Sequence, residues 1–528
     1  MNLMHGSAAI AGMLLALVLG GCATVPGADY PRTPSVALAQ PTQTSLGRTA
    51  ASRAGAYPGL SGVKLLPRGV DGYALRAQMA DAAERTLDLQ YFVIQNDDSG
   101  YLLMDSLLRA AKRGVRVRLL VDDPQAQGQE AQIAALAAHP NVDVRLFNPF
   151  VYRGNLPALR WMEIAMSAQR LNHRMHNKLY VVDNAVALAG GRNVGDAYFE
   201  SGKDTQFGDY DVFTMGPVVR QLSQSFDDYW NSPLSVPVQA LLGAAPDAQA
   251  VEAFERDLAA HRMAMHANDL VRSAKTGQPL ARLMAPNGVV WAKAEVIYDS
   301  PDKADVENGS TPGVLLRRRL IEASKQVQKE LVIVSPYFVP GTSGANMLKA
   351  LREREVRVRV LTNSLASTDE PLVHAGYQHY RAPLLEAGIE LYEVKPLPGK
   401  PQERGGELKN PSAGQFALHA KVFVFDRTKI FVGSANFDRR SFHLNTEVGL
   451  LIDSPALARQ VVERFDIIAQ PANSYVLALA DGGNPLRRLT WRSEENGREV
   501  ISDVEPGNDR MRDFTTDLLS LLPLDELL

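Results

Sequence analysis

His176-Asn-Lys178-Leu-Tyr-Val-Val-Asp183 and His419-Ala-Lys421-Val-Phe-Val-Phe-Asp426 share one spacing: the lysine stands two residues after the histidine and the aspartate seven after it. A second element follows each at a similar distance, Gly190-Gly191-Arg192-Asn193 after the first and Gly433-Ser434-Ala435-Asn436 after the second. The offset of 243 residues (419 − 176) nearly recurs elsewhere. Arg116-Val-Arg-Leu-Leu matches Arg357-Val-Arg-Val-Leu at 241, and Tyr91-Phe92-Val93 matches Tyr337-Phe338-Val339 at 246. Self-similarity of this kind marks an internal duplication of one domain.

After each lysine the residues are apolar and β-branched or aromatic, so each motif predicts a buried strand entering a Gly-rich turn, with the histidine and lysine on it. Side chains alternate along a strand, which sends His176 and Lys178 to one face and Asp183 to the other. His419, Lys421 and Asp426 repeat the parity. Each half thus offers one imidazole and one ammonium to a common surface, while the aspartates are expected to do structural work. An imidazole, with an ordinary pKa near about 6.5, is either nucleophile or acid according to its neighbours, so two can divide those roles. Ammonium and amide groups add N–H donors without acid–base duty, as phosphodiester oxygens require. The pattern describes phosphoryl chemistry. No metal or other cofactor is expected, because the lysines supply the positive charge and no nearby His/Asp/Glu cluster has ligand spacing.

These two triads, with Asn193 and Asn436, resemble the paired HKD motifs of the phospholipase D superfamily. Arg174-Met-His-Asn-Lys178, Gly190-Gly-Arg-Asn-Val-Gly-Asp-Ala-Tyr-Phe199, Leu361-Thr-Asn-Ser-Leu-Ala366 and Val373-His-Ala-Gly-Tyr377 are similar to its cardiolipin synthase C group. The resemblance runs from about residue 70 to the C-terminus. It implies that both halves form one site, with all six motif residues, Asp183 and Asp426 included, in the catalytic set and Asn193 and Asn436 binding phosphate. One histidine would form a phosphohistidine while the other serves the leaving alkoxide and the acceptor. His176 is placed as nucleophile and His419 as acid/base, though the residues alone do not separate the two. A carboxylate should hold each imidazole in its tautomer, and Glu447 in Asn-Thr-Glu-Val and Asp211 in Asp-Tyr-Asp-Val match by context.

The implied reaction moves a phosphatidyl group from one glycerophospholipid to the hydroxyl of another. Phosphatidylglycerol is the expected acceptor, and phosphatidylethanolamine or a second phosphatidylglycerol the donor. The rivals are a phospholipase D that passes the same intermediate to water, a nuclease, and a lipid-binding module with dead sites. A formal net charge of −3 disfavours nucleic acid as a partner. Arg192, Ser434, Arg439 and Arg440 lie near the motifs and suit either a lipid phosphate or structural pairing. His139, His261 and His266 read as structural.

Each half opens with helix, strand, helix, strand: Tyr73 to Thr86, Leu87 to Val93, Tyr101 to Arg113 and Val115 to Val121 in the first, with counterparts from Val314 to Leu361 in the second. This alternation predicts an α/β fold of two α-β-α sandwich lobes facing one another, each with a mixed, mainly parallel sheet. At 528 residues and 45% hydrophobic content, the chain can bury two cores. Residues 59–240 and 291–500 are the expected lobes, joined by an inter-lobe segment 241–290.

The apolar run 8–21 is shorter than the roughly 20 residues that span a bilayer, and it ends at the only cysteine. Residues 1–22 read as a signal peptide, although Met1 to Gly6 carries no Lys or Arg. Leu19-Gly20-Gly21-Cys22 resembles a bacterial lipoprotein box. Acylation of Cys22 would anchor the chain at a membrane facing the periplasm, and Ala23 after it favours the outer one. Residues 23–58, rich in Pro, Ala, Ser, Thr and Gly, read as a flexible tether. The tail 501–528 is apolar and amphipathic, suited to packing on the body or to a membrane surface.

Overall fold

The computed structural model describes residues 30–507 except 127, 155, 203–204, 243–244, 266–269, 273–276, 278, 397–414 and 481–488. The signal peptide, Cys22, the start of the tether and the tail beyond 507 lie outside the described residues.

In the first lobe, strands β1 (Ser61–Leu66), β2 (Thr86–Tyr91), β3 (Arg116–Asp122), β4 (Val142–Phe147), β5 (Leu179–Val182), β6 (Val186–Gly190), β7 (Asp211–Met215) and β8 (Ser235–Pro237) form one sheet. Its spatial order is β1-β7-β6-β5-β2-β3-β4-β8. The second lobe supplies β9 (Val290–Tyr298), β10 (Glu330–Val334), β11 (Arg357–Asn363), β12 (Glu390–Val394), β13 (Val422–Phe425), β14 (Lys429–Gly433), β15 (Val448–Asp453) and β16 (Ser474–Leu479). They take the corresponding order, β9-β15-β14-β13-β10-β11-β12-β16. The duplication read from the motif spacing therefore extends to strand order. β1 and β9, the equivalent edges, pair antiparallel with Ser61 opposite Ala292, so the two sheets run into one another.

Within these two sheets, parallel pairing is confined to β2-β3-β4 and β10-β11-β12. The other pairs are antiparallel, which corrects the mainly parallel expectation. Part of the reason is local: the motif strands return as tight hairpins, β5–β6 and β13–β14, and a three-residue connection can only join antiparallel strands. Asp183 and Asn184, at φ 54° and 49°, make the first turn, and Asp426 and Arg427, at 51° and 55°, make the second. Two consecutive positive φ values suit the right-handed twist of a hairpin, and Asp and Asn tolerate them.

One apolar cluster lies between the lobes and joins Val63, Val212, Val218 and Phe226 to Val422, Val448, Leu450 and Phe465. The stretch expected to be a flexible tether is ordered from Tyr30. Ser45–Gly55 is a helix with Leu46 and Ala50 buried, and Arg118 donates to the carbonyl of Ser35 at 2.8 Å. Pro and Gly lowered its apparent helix content, while its anchors are distant residues invisible to local reading.

Candidate active site

Each histidine precedes its motif strand rather than lying on it, and each is gripped by the opposite lobe. His176 N–H donates to the carbonyl of Thr446 at 2.9 Å, and Thr446 N–H to that of Arg174 at 2.9 Å. At the equivalent place, Thr205–Gly208 pairs in parallel with Gln415–Leu418, and His419 N–H donates to the carbonyl of Gly208 at 2.8 Å. The residue before each histidine is pinned by the end of its own lobe's third strand. Asp122 accepts from Met175 N–H at 2.9 Å, and the Asn363 amide both accepts from and donates to the Leu418 backbone, at 2.8 and 2.9 Å.

One residue past each contact stands a carboxylate. Glu447 accepts from His176 Nδ1 at 2.9 Å, and Asp209 lies 2.6 Å from His419 Nδ1. Each imidazole is thus oriented by a carboxylate of the other lobe. The expectation that Asp211 orients a histidine is corrected: Asp211 forms a bidentate pair with Arg76, at 2.8 and 3.0 Å, and also meets Arg192. Asp209 and Asp211 have the same strand parity, and only the register between lobes selects Asp209.

The motif aspartates do not join this constellation, which corrects their inclusion in the catalytic set. Asp183 accepts three backbone N–H groups, from Glu84, Arg85 and Thr86, at 2.8–3.0 Å, and Asp426 accepts those of Gln328, Lys329 and Glu330. They lock the hairpin turns to the start of β2 and β10, the structural duty that strand parity assigned them.

Lys178 and Lys421 are buried, and each donates to the carbonyl of its own motif histidine at 2.5 Å. Phe92 meets the His176 ring edge-on at 5.1 Å, and Tyr198 does the same for His419. Asn193 donates to Tyr198 Oη at 3.0 Å and accepts from Val93 N–H, so its amide braces the ring beside His419. Asn436 is buried, with its N–H bound to Ser441 Oγ. Arg192 is wholly buried and holds the backbone of Leu66, Pro67 and Asp209. Ser434 donates to Glu447, and Arg440 crosses to Asn172 of the first lobe. Asp209, Asp122 and Asn363 were missed by sequence reading, although the last two close strands whose starts had been matched.

The two halves differ electrostatically. Burial pushes the His176 imidazole down to about 4, against the pull of Glu447. Burial alone would raise the Glu447 carboxyl, but His176, Lys178 and the Ser434 hydroxyl outweigh it and hold the group below its ordinary range. Asp209 lacks a hydroxyl at the place Ser434 occupies: Gly191 stands there, and a Cβ on it would lie 2.3 Å from Asp209 Oδ1. Burial lifts the Asp209 carboxyl to about 7, against Lys421 and Arg192, and pushes the His419 imidazole well down. Burial also lowers both lysines, Lys421 to about 8. An anion among them would restore their charge, since an opposite charge at close range favours the ionised form. The arrangement can therefore bind a phosphodiester and present it with two unlike imidazoles.

Residues 76–230 and 319–468 match the family model described as cardiolipin synthase, PLD-like domain. Cardiolipin synthase C of Escherichia coli is 38% identical over 473 residues, spanning 89% of this chain and 97% of that protein. A cardiolipin synthase of Alkalihalophilus pseudofirmus is 26% identical over 77% of this chain and 65% of its own length. Among solved structures, phosphatidylserine synthase of Haemophilus influenzae superposes with a TM-score of 0.53 at 15% identity, covering 81% of this chain and 91% of that one, and shares the fold. The chain belongs to the cardiolipin synthase family of the phospholipase D superfamily and is a phosphatidyltransferase of that superfamily.

Proposed function

We propose that this enzyme transfers the phosphatidyl group of one glycerophospholipid to the hydroxyl of phosphatidylglycerol, forming cardiolipin through a phosphohistidine on His176. The observation that carries the reading is the inequality of the two cross-lobe pairs. With Glu447 ionised and holding Nδ1–H, neutral His176 keeps its Nε2 lone pair free to attack phosphorus. The His419–Asp209 pair retains one more proton up to about pH 7. Wherever that proton sits between Nδ1 and the carboxyl, Nε2 carries a hydrogen, as a general acid requires.

In the first step a bond forms between His176 Nε2 and phosphorus, the bond to the headgroup oxygen breaks, and His419 protonates the departing alkoxide. In the second, His419 takes the proton of the acceptor hydroxyl, whose oxygen attacks phosphorus and releases His176. Lys178, Lys421 and the two asparagines are assigned to the phosphate oxygens, where charge accumulates.

The test uses phosphatidylglycerol vesicles carrying a label in the phosphate. The wild-type chain should release cardiolipin and glycerol in equal amounts. His176→Ala should lower turnover at least about a thousandfold and trap no label, while His419→Ala should still accumulate phosphohistidine. Label trapped only when His176 is absent would reverse the roles, and phosphatidic acid as the sole product would make the enzyme a hydrolase. Replacing half the vesicle lipid with phosphatidylethanolamine identifies the donor by whether ethanolamine is released.

A further inference from the structure

The helix Pro157–Met166 wears its polarity inside out. Leu159, Trp161, Met162 and Met166 are 38%, 70%, 42% and 36% exposed, and Val151 and Leu156, just before it, are 55% and 61% exposed. Its acidic residue faces the protein instead, while Arg160 stays partly exposed. Glu163 accepts the backbone N–H groups of Val151 and Tyr152 at 2.7 and 2.9 Å, and Arg160 lies over the Phe150 ring at 4.3 Å. A surface helix in water does the reverse, since each exposed large apolar side chain forgoes the stabilisation of burial.

We propose that this helix is a membrane-docking element that seats the enzyme on the bilayer beside its active site, a reading that rests on the phospholipid substrate proposed above. Trp, Met and Leu together suit the boundary between headgroups and acyl chains, where an indole places its ring in the apolar layer and its N–H in the wet one. Arg160 has no carboxylate within ion-pairing distance among the described residues, which leaves a cation for lipid phosphate; Arg153 and Arg170 are paired with Asp123 and Glu163. The chain then reaches the site through the short helix Ala168–Leu171. Met166 stands ten positions before His176 (176 − 166), and on the way both ring nitrogens of His173 lie 2.8 Å from second-lobe carbonyls, those of Leu444 and Pro301. An inserted helix would therefore hold the cleft at the depth of the phosphates it acts on. A second copy of the chain would need no cation beside the apolar face.

The experiment reads Trp161 fluorescence in the full chain, taken as the difference between wild type and Trp161→Phe, on equimolar phosphatidylglycerol and phosphatidylcholine vesicles with brominated acyl chains. Docking predicts a blue shift and quenching of that component. The double substitution Trp161→Asp/Met162→Asp should lower turnover on vesicles about tenfold or more, while turnover of a short-chain, monomeric phosphatidylglycerol stays within about twofold of wild type. Absence of quenching overturns the proposal, as does full vesicle turnover by the double variant. A dimer in solution that Trp161→Asp dissociates, without quenching by vesicles, assigns the face to a second copy and overturns it too. Should the wild-type chain turn over neither substrate, the catalytic reading fails while the quenching still decides the docking.

Discussion

At the scale of single residues, Asp209 is the group that makes the two halves chemically unlike. Because its pair with His419 holds a proton up to about 7 while His176 loses its own near about 4, kcat/KM should rise as pH climbs through about 4 and fall as it passes about 7. Asp209→Asn removes the anion that favours the protonated pair, so the falling limb should move to lower pH; steady-state profiles of both proteins measure it. Gly191→Ala would press a methyl group against Asp209 Oδ1 and turn the carboxylate from His419. A loss of kcat of about tenfold or more is expected, with the thermal midpoint nearly unchanged. Gly191 is read from sequence as a turn residue; that it clears space for a carboxylate is a fact of packing alone.

At the scale of elements, the hairpin turns carry the two motif aspartates. Asp183→Ala strips three backbone N–H groups of their acceptor and should cost about 2–4 kcal/mol in urea unfolding, since a buried donor left unpaired loses its desolvation energy. Asp426→Ala should cost less, because Asp426 is only partly buried whereas Asp183 is wholly buried, so water can replace more of its bonds. Neither variant should abolish phosphohistidine formation in the folded fraction. Continuous apolar, β-branched and aromatic runs located these strands within a residue or two, because both of their faces are buried. It could not reveal that the histidines stand just before them, since a chain leaving a sheet to meet another lobe has no periodicity of its own.

At the scale of the whole molecule, neither lobe holds a complete site. Residues 59–240 contain His176 without Glu447, and Asp209 without His419. The apolar cluster between lobes would also be bared by separation. Residues 30–240 expressed alone should therefore be inactive and prone to aggregate, and co-expression with 241–528 should restore turnover; activity in the single half would contradict the crossed arrangement.

The duplication, the two imidazoles and two ammoniums, and the structural duty of the aspartates were all determined by the amino-acid sequence, because spacing and strand parity are local properties that recur unchanged in each half. The antiparallel pairs beyond the two motif hairpins, the ordering of residues 30–58 and the choice of Asp209 over Asp211 were decided only by tertiary structure. Each depends on which distant backbone segments meet, and in what register. A carboxylate that serves a histidine 210 residues away leaves no mark in its own neighbourhood (419 − 209).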